Sequence, residues 1–284
     1  MFKNQLKTTI LLASLTALLL FVGRLLGGYT GLIIGLAFAV LMNFGAYFFS
    51  DKLVLAMYRA KLVSQKEAPD LHKTVKEITH IAGLPMPKLY IIPTTTPNAF
   101  ATGRNPKHAA VACTEGILKL LNKDELRGVL AHEVSHIKNR DILVQTVAAT
   151  IAGVISYIAS MAQWAAIFGG FGGRDNDNGP NMISLLVLAI LTPLIATIIQ
   201  LAISRSREYL ADETGARIIK NPQALASALG KLDGEIKHNP LRFGNPTTAS
   251  LFIANPFSAR GMVSLFSTHP PMEKRIARLN EMKI

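Results

Sequence analysis

The sequence predicts a small α+β polar domain carried on four transmembrane helices arranged in two hairpins. Three observations lead there. Four long apolar runs divide the chain, basic residues collect at the feet of those runs, and the two polar segments left over carry helix and strand patterns around one helix with two histidines a turn apart.

Half of the 284 residues are hydrophobic and only 17% are charged, where an ordinary soluble domain has roughly 25% charged residues. The shortage is uneven. The apolar runs cover about 8–26, with Arg24 as the one interruption, a stretch within 25–50, a third from 142 that fades in the glycines of 169–173, and a fourth over about 182–204. Each meets the length of roughly 20 apolar residues that a helical span needs. Lys3 and Lys7 precede the first run as in a secretory signal, but no small-x-small cleavage site follows and a second apolar run comes at once. The N-terminus therefore reads as an uncleaved hairpin.

The net charge is +12, and its placement matters more than its size. Lys3, Lys7, Lys52, Arg59, Lys61, Lys138, Arg140, Arg205 and Arg207 all flank the runs on one side. The turns at 24–29 and 169–181 are poor in Lys and Arg, so both read as outside, with both termini and the polar segments inside. Hairpins at 1–50 and 142–203 would then hold a single cytoplasmic domain built from 51–141 and 204–284. Gln145, Gln163 and Pro193 leave open a buried hydrophobic hairpin for the third and fourth runs. No basic patch is interleaved with aromatics, which excludes nucleic acid as a partner and leaves membrane lipid. Cys113 is the sole cysteine, so it reads as a small buried apolar residue with no disulfide to make.

The elements of the polar part follow in order. Pro69 and Asp70 open a helix with Leu71, Val75, Ile78 and Ala82 on one side, and Gly83 and Pro85 close it. Three strand-type runs follow at 88–92, 98–102 and 109–113, separated by Pro, Gly or Asn. A second helix begins near Asn122, where Glu125 three residues later makes a capping box, and Leu126, Val129, Leu130 and Ile137 form its apolar stripe.

That helix carries His132-Glu133-Val134-Ser135-His136. Histidines at i and i+4 project from one face, so both imidazoles can reach a single ion, and the Glu beside the first is left to act as a base on water. A catalytic zinc needs three protein ligands and an open position. Glu208 is the best third ligand, with Asp212 one turn on to orient a ligand histidine. Taken alone, Glu208 and Asp212 would be a solvated helix start beside Arg205 and Arg207. Two antiparallel spans between His136 and Glu208, however, bring those flanks together on one side of a bilayer.

The HEVSH motif, the downstream SREYLAD segment, the upstream NAFATG and the late STHPPMEKRIARL together resemble the M48 membrane metallopeptidases. The resemblance implies a zincin-type (gluzincin-like) catalytic domain with one zinc per chain held by His132, His136 and Glu208, Glu133 as catalytic base and Asp212 behind a ligand. It implies that Asn98 and Ala99 form a sheet edge that pairs with the substrate backbone, and that His269 and Arg275 stabilise the oxyanion. Read without it, Asn98 is a turn residue after Pro97, His269 a loop histidine before Pro270 and Pro271, and Arg275 part of a solvated helix face. The segment 245–268, of mixed polarity with Pro246, Pro256 and Gly261, is expected to be a mobile loop over the cleft. The implied activity is cleavage of membrane or misfolded proteins, linked to stress, at the cytoplasmic face of a bacterial inner membrane. A prenyl-protein endopeptidase and a non-catalytic metal-binding membrane scaffold remain as alternatives.

Overall fold

A computed structural model of the chain describes residues 2–168, 205–241, 243, 246–257 and 270–284. The fourth apolar run, the turn before it, His269 and most of the 245–268 segment lie outside the described residues.

The N-terminal helical element α1 (Phe2–Met57) doubles back on itself. Gly28 takes a left-handed backbone, φ +58°, and Asn43 Nδ2 donates to Thr16 Oγ1 at 2.8 Å across the two limbs. Glycine lets the limbs meet closely, since a β-carbon on Gly31 would lie 2.0 Å from the Gly23 carbonyl oxygen. The limbs hold two segments long and apolar enough to cross a membrane, Asn4–Phe21 and Gly28–Met57. Ile33, Ile34, Val40, Leu41 and Phe44 are exposed, a bare apolar surface that suits lipid. The second limb runs past the expected boundary at 50.

The third run forms α5 (Ile142–Phe168). Its start is buried in protein, with Val144, Val147, Ala148 and Ile151 packed against Leu11, Leu15 and Ala46 of α1. Two candidate spans are therefore seen among the described residues, where four were expected.

The polar part is α+β. Strands β1 (Lys61–Leu62), β2 (Lys88–Ile92), β3 (Ala99–Gly103) and β4 (Ala109–Thr114) make a sheet in the order β1-β2-β4-β3. β2 runs parallel to β4, and β3 antiparallel to it with Ala99 opposite Cys113. Around it lie α2 (Pro69–Ala82), α3 (Glu115–Leu120), α4 (Lys123–Asn139), α6 (Arg205–Ile219), α7 (Pro222–His238) and α8 (Met272–Asn280). Gly83 ends α2 in the left-handed region at φ +70°, as a glycine at that position is suited to do.

The central helix is α4. Asn122 Oδ1 accepts from the Glu125 N–H and Glu125 Oε2 from the Asn122 N–H, both at 2.9 Å, which completes the capping box. Glu125 also takes Ser227 and Lys231 of α7 at 2.7 and 2.8 Å, bolting the start of α4 in place. Helix α6 approaches α4 through Gly215, where a β-carbon would lie 2.8 Å from the His132 backbone nitrogen. Gly215→Ala is expected to force the two helices apart, costing about 1–3 kcal/mol of stability and weakening metal retention with it. Unfolding and metal titration of that variant would check this.

The described part of 245–268 is not a mobile loop over a cleft. Residues Pro246–Leu251 form a 3₁₀ turn, and Thr248 to Ala254 are all buried. Phe252 packs edge-on against Tyr58 and Phe100, and Tyr58 is hydrogen-bonded to Thr248. The mixed polarity that suggested a loop is resolved by these aromatic contacts, which a local reading of the sequence cannot see.

Candidate metal centre

The i, i+4 spacing on α4 sets His132 and His136 edge to face, with Nε2 atoms 3.1 Å apart. Helix α6, held close by Gly215, brings Glu208 to them. Its Oε2 lies 3.7 Å from His132 Nε2 and its Oε1 3.9 Å from His136 Nε2. All three side chains are buried, and their ligand atoms fall within 4.8 Å of one another.

The donor set fits a divalent metal. His132 Nδ1 lies 2.9 Å from Asp212 Oδ1, and His136 Nδ1 lies 3.2 Å from both oxygens of Asp141. A carboxylate behind each ring holds the proton on Nδ1 and turns the Nε2 lone pair inward. Two inward lone pairs repel unless a cation lies between them. Ligands about 2.0–2.1 Å from a tetrahedral zinc stand roughly 3.3 Å apart, close to the spacing here.

Burial alone would lower the His136 imidazole, but Asp141, Glu208 and Glu133 outweigh it and raise it to about 10. A proton and a metal therefore compete for His136, and metal affinity should fall as pH is lowered. Glu133 is fully buried beside the ligands. Burial, with Glu208, raises its carboxyl above the usual range, against the pull of His132, His136 and the Ala101 backbone N–H.

Behind His132, Asp212 is gripped by Arg275. Arg275 Nε and Nη2 donate to its two oxygens at 2.8 and 2.7 Å, and Nη1 donates to the Ile253 carbonyl at 2.7 Å. Burial by itself would raise the Asp212 carboxyl, but Arg275 and then His132 hold it well below the carboxylate range. Arg275 is fully buried, so the reading of a solvated helix face is corrected: folding α8 onto α7 and α6 encloses it.

Asn98 and Ala99 sit at the start of edge strand β3. Asn98 Nδ2 donates to the Ala254 carbonyl at 2.7 Å, and the Ala99 carbonyl accepts from the Ile253 N–H at 3.1 Å. The outer edge at Ala99 is thus engaged by the chain's own 253–254 segment. Strand alternation turns Ala101 the same way, and its N–H is the one beside Glu133. His269 falls outside the described residues.

Near the centre, Asp141 was not named from the sequence, and Arg207 was read there only as a flanking cation on a solvated helix start. Asp141 follows Arg140, whose left-handed backbone (φ 56°) ends α4 and swings Asp141 back under His136. The signal available was an acid five residues after the second histidine. Arg207 is only 9% exposed, with its charge near Asp141 and Glu208 and with burial lowering its pKa. Asp141→Asn is expected to reduce metal affinity about 10–100-fold while leaving the fold intact. Competition with a zinc chelator, read beside circular dichroism, would test it.

A model of peptidase family M48 matches residues 65–283. A Protease HtpX homolog of Syntrophobacter fumaroxidans is 55% identical over 282 residues, covering 98% of this chain and 99% of that protein. One from Pyrococcus furiosus is 54% identical over 276 residues, covering 97% and 95%. Among solved structures, the crystal structure of S. mikatae Ste24p shares the fold, with a TM-score of 0.52 and 18% identity over 98% of this chain and 66% of that longer one.

Proposed function

The chain belongs to peptidase family M48 and is a membrane metalloprotease, and on that premise we propose that it is a zinc endopeptidase cleaving membrane or misfolded proteins at the cytoplasmic face of a bacterial inner membrane. The observation that carries this reading is the convergence of His132, His136 and Glu208 on one point with the Glu133 carboxylate beside it. The two candidate spans and the start of α5 support a position close to the lipid surface, which suits substrates emerging from or lying on the membrane and a role in proteolytic quality control under stress.

His132, His136 and Glu208 would hold the metal. A bound zinc would polarise the scissile carbonyl and make water acidic near neutral pH. Glu133 takes the proton from the attacking water and later delivers it to the leaving amine. Asp212 and Asp141 keep the two imidazoles in the ligating tautomer, and Arg275 keeps Asp212 charged. A substrate strand pairs with the outer edge of β3 at Ala101, where main-chain hydrogen bonds tolerate many side chains. At Ala99 it would first have to displace Ile253.

The test uses the full chain purified in detergent. Elemental analysis should give one zinc per chain. Cleavage of an unfolded membrane protein should stop with chelation and return with added zinc, while a farnesylated peptide is left intact. Preferential cleavage of the farnesylated peptide would shift the reading to a prenyl-protein endopeptidase. Stoichiometric zinc without cleavage of either would make the protein a metal-binding scaffold.

A further inference from the structure

Away from the metal centre, a cavity of about 400 Å³ opens where the first limb of α1, the second limb and the start of α5 come together beside the 104–105 turn. Its lining divides by chemistry. Leu12, Ile142 and Leu143 give an apolar wall, Asn4 and Thr8 a polar one, and Arg104 and Arg140 two cations. No Asp or Glu lines it, and neither guanidinium has an ion-pair partner among the described residues.

Two further features bear on its depth in the membrane. The span Asn4–Phe21 and the helix α5 both begin at the cavity. Two aromatic residues accompany it: Tyr47 lines it, and its Arg104 guanidinium lies 5.4 Å from the Phe48 ring centre. A tyrosine beside cations, where two apolar helices begin, suits the headgroup level of a bilayer. A free anion would need only the cations; the apolar wall continuous with the lipid-facing helices calls for acyl chain as well.

We propose that this cavity is a binding site for an anionic glycerophospholipid, with the phosphate between Arg104 and Arg140 and an acyl chain along Leu12 and Leu143. Occupancy bears on the metal centre through the backbone. The Arg140 carbonyl accepts from Asn4 Nδ2 at 3.0 Å, which ties the end of α4 to the start of α1, and the next residue, Asp141, lies against His136. A phosphate gripping Arg140 clamps that junction.

The experiment uses the full chain, delipidated in a neutral detergent, with phosphatidylglycerol, phosphatidylcholine or inorganic phosphate added. Native mass spectrometry reads retained lipid, and the thermal unfolding midpoint reads stabilisation. Phosphatidylglycerol should be retained roughly tenfold or more over phosphatidylcholine, given the worth of two arginines at an anionic surface, and should raise the midpoint where phosphate does not. The R104Q/R140G variant should lose that preference. Glycine suits the left-handed backbone at 140, so this variant should fold at least as well in phosphatidylcholine as the single variant R104Q. The exposed ion-pair residue Arg217 is the control, and R217Q should keep the preference. Equal retention of the two lipids, a preference that survives in R104Q/R140G, loss of it in R217Q, or an equal shift with phosphate alone would each overturn the proposal.

Discussion

Replacing Glu133 by Gln should leave the metal in place and remove proteolysis. Glutamine matches glutamate in shape, so the packing around this fully buried position survives, and none of the three ligand atoms is touched. What disappears is a proton acceptor. General base catalysis contributes roughly 10²- to 10⁴-fold, and turnover of an unfolded membrane protein should fall by at least the lower figure. Burial raises the Glu133 carboxyl, so the acid limb of the wild-type rate, where the base is protonated and activity falls, should lie above the ordinary glutamate value. In Glu133→Gln that limb should vanish along with the rate. Metal content and cleavage must be measured on the same preparation. A variant that cleaves at the wild-type rate refutes the assignment, and one that loses its metal makes Glu133 a ligand. By contrast, Glu208→Gln weakens an anionic ligand and should lose metal and activity together.

The contrast between what could and could not be read from the sequence has a physical basis. Helix α2, the three longer strands and α4 were legible because each is specified locally: Pro69 and Gly83 bracket one helix, Asn122 and Glu125 cap another, and Pro, Gly and Asn separate the strands. His132 and His136 were legible for the same reason, since helical spacing alone brings them together. Glu208 needed a topological step, that two antiparallel spans return the chain to the side it left, and α6 does carry it to the histidines. Helix α7 carries Leu225, Leu229, Leu232 and Ile236 on one buried face, a pattern that was open to the same periodicity argument as α2. Asp141 was hidden by conformation. Only the left-handed backbone of Arg140 turns it under His136, and arginine gives no warning of φ > 0 as glycine would. The 246–257 segment was hidden by distance, its burial depending on Tyr58 and Phe100, more than 140 residues away in sequence.

Distance in sequence also accounts for how the centre is built. Asp212 lies against His132 on one side and Arg275 on the other, and Arg275 reaches on to Ile253, whose N–H bonds Ala99 on β3. One chain of polar contacts thus links the C-terminal helix α8, the metal-side helices and the edge strand. Each link is buried, so each is sensitive to loss of its partner.

The largest loss of stability is expected at Arg275. Arg275→Met fills much of the same volume, so a cavity contributes little, but the Asp212 carboxylate is left buried without its cation. Breaking a buried pair in this way costs about 3–5 kcal/mol, and the unfolding midpoint should drop accordingly. Adding Asp212→Asn removes the stranded charge, so the double variant should regain much of that stability. It should not regain full metal affinity, since a neutral amide orients His132 less firmly than a carboxylate, a difference of about tenfold or more. The sign of the pH dependence follows from Asp212. Its folded-state carboxyl is held below the unfolded value, so the pair's contribution is complete above about pH 4, the ordinary aspartate value, and is lost as the pH falls below it. The wild type should therefore become less stable on acidification through this range, and the double variant should show a smaller change. Arg275 could instead act by meeting charge on the reacting carbonyl, as the resemblance implies. Arg275→Met would then keep the wild-type unfolding midpoint and metal affinity while losing turnover. With Nε and Nη2 on Asp212 and Nη1 on Ile253, the expected result is the reverse: stability and metal retention fall first, and turnover falls in proportion to the metal that is lost.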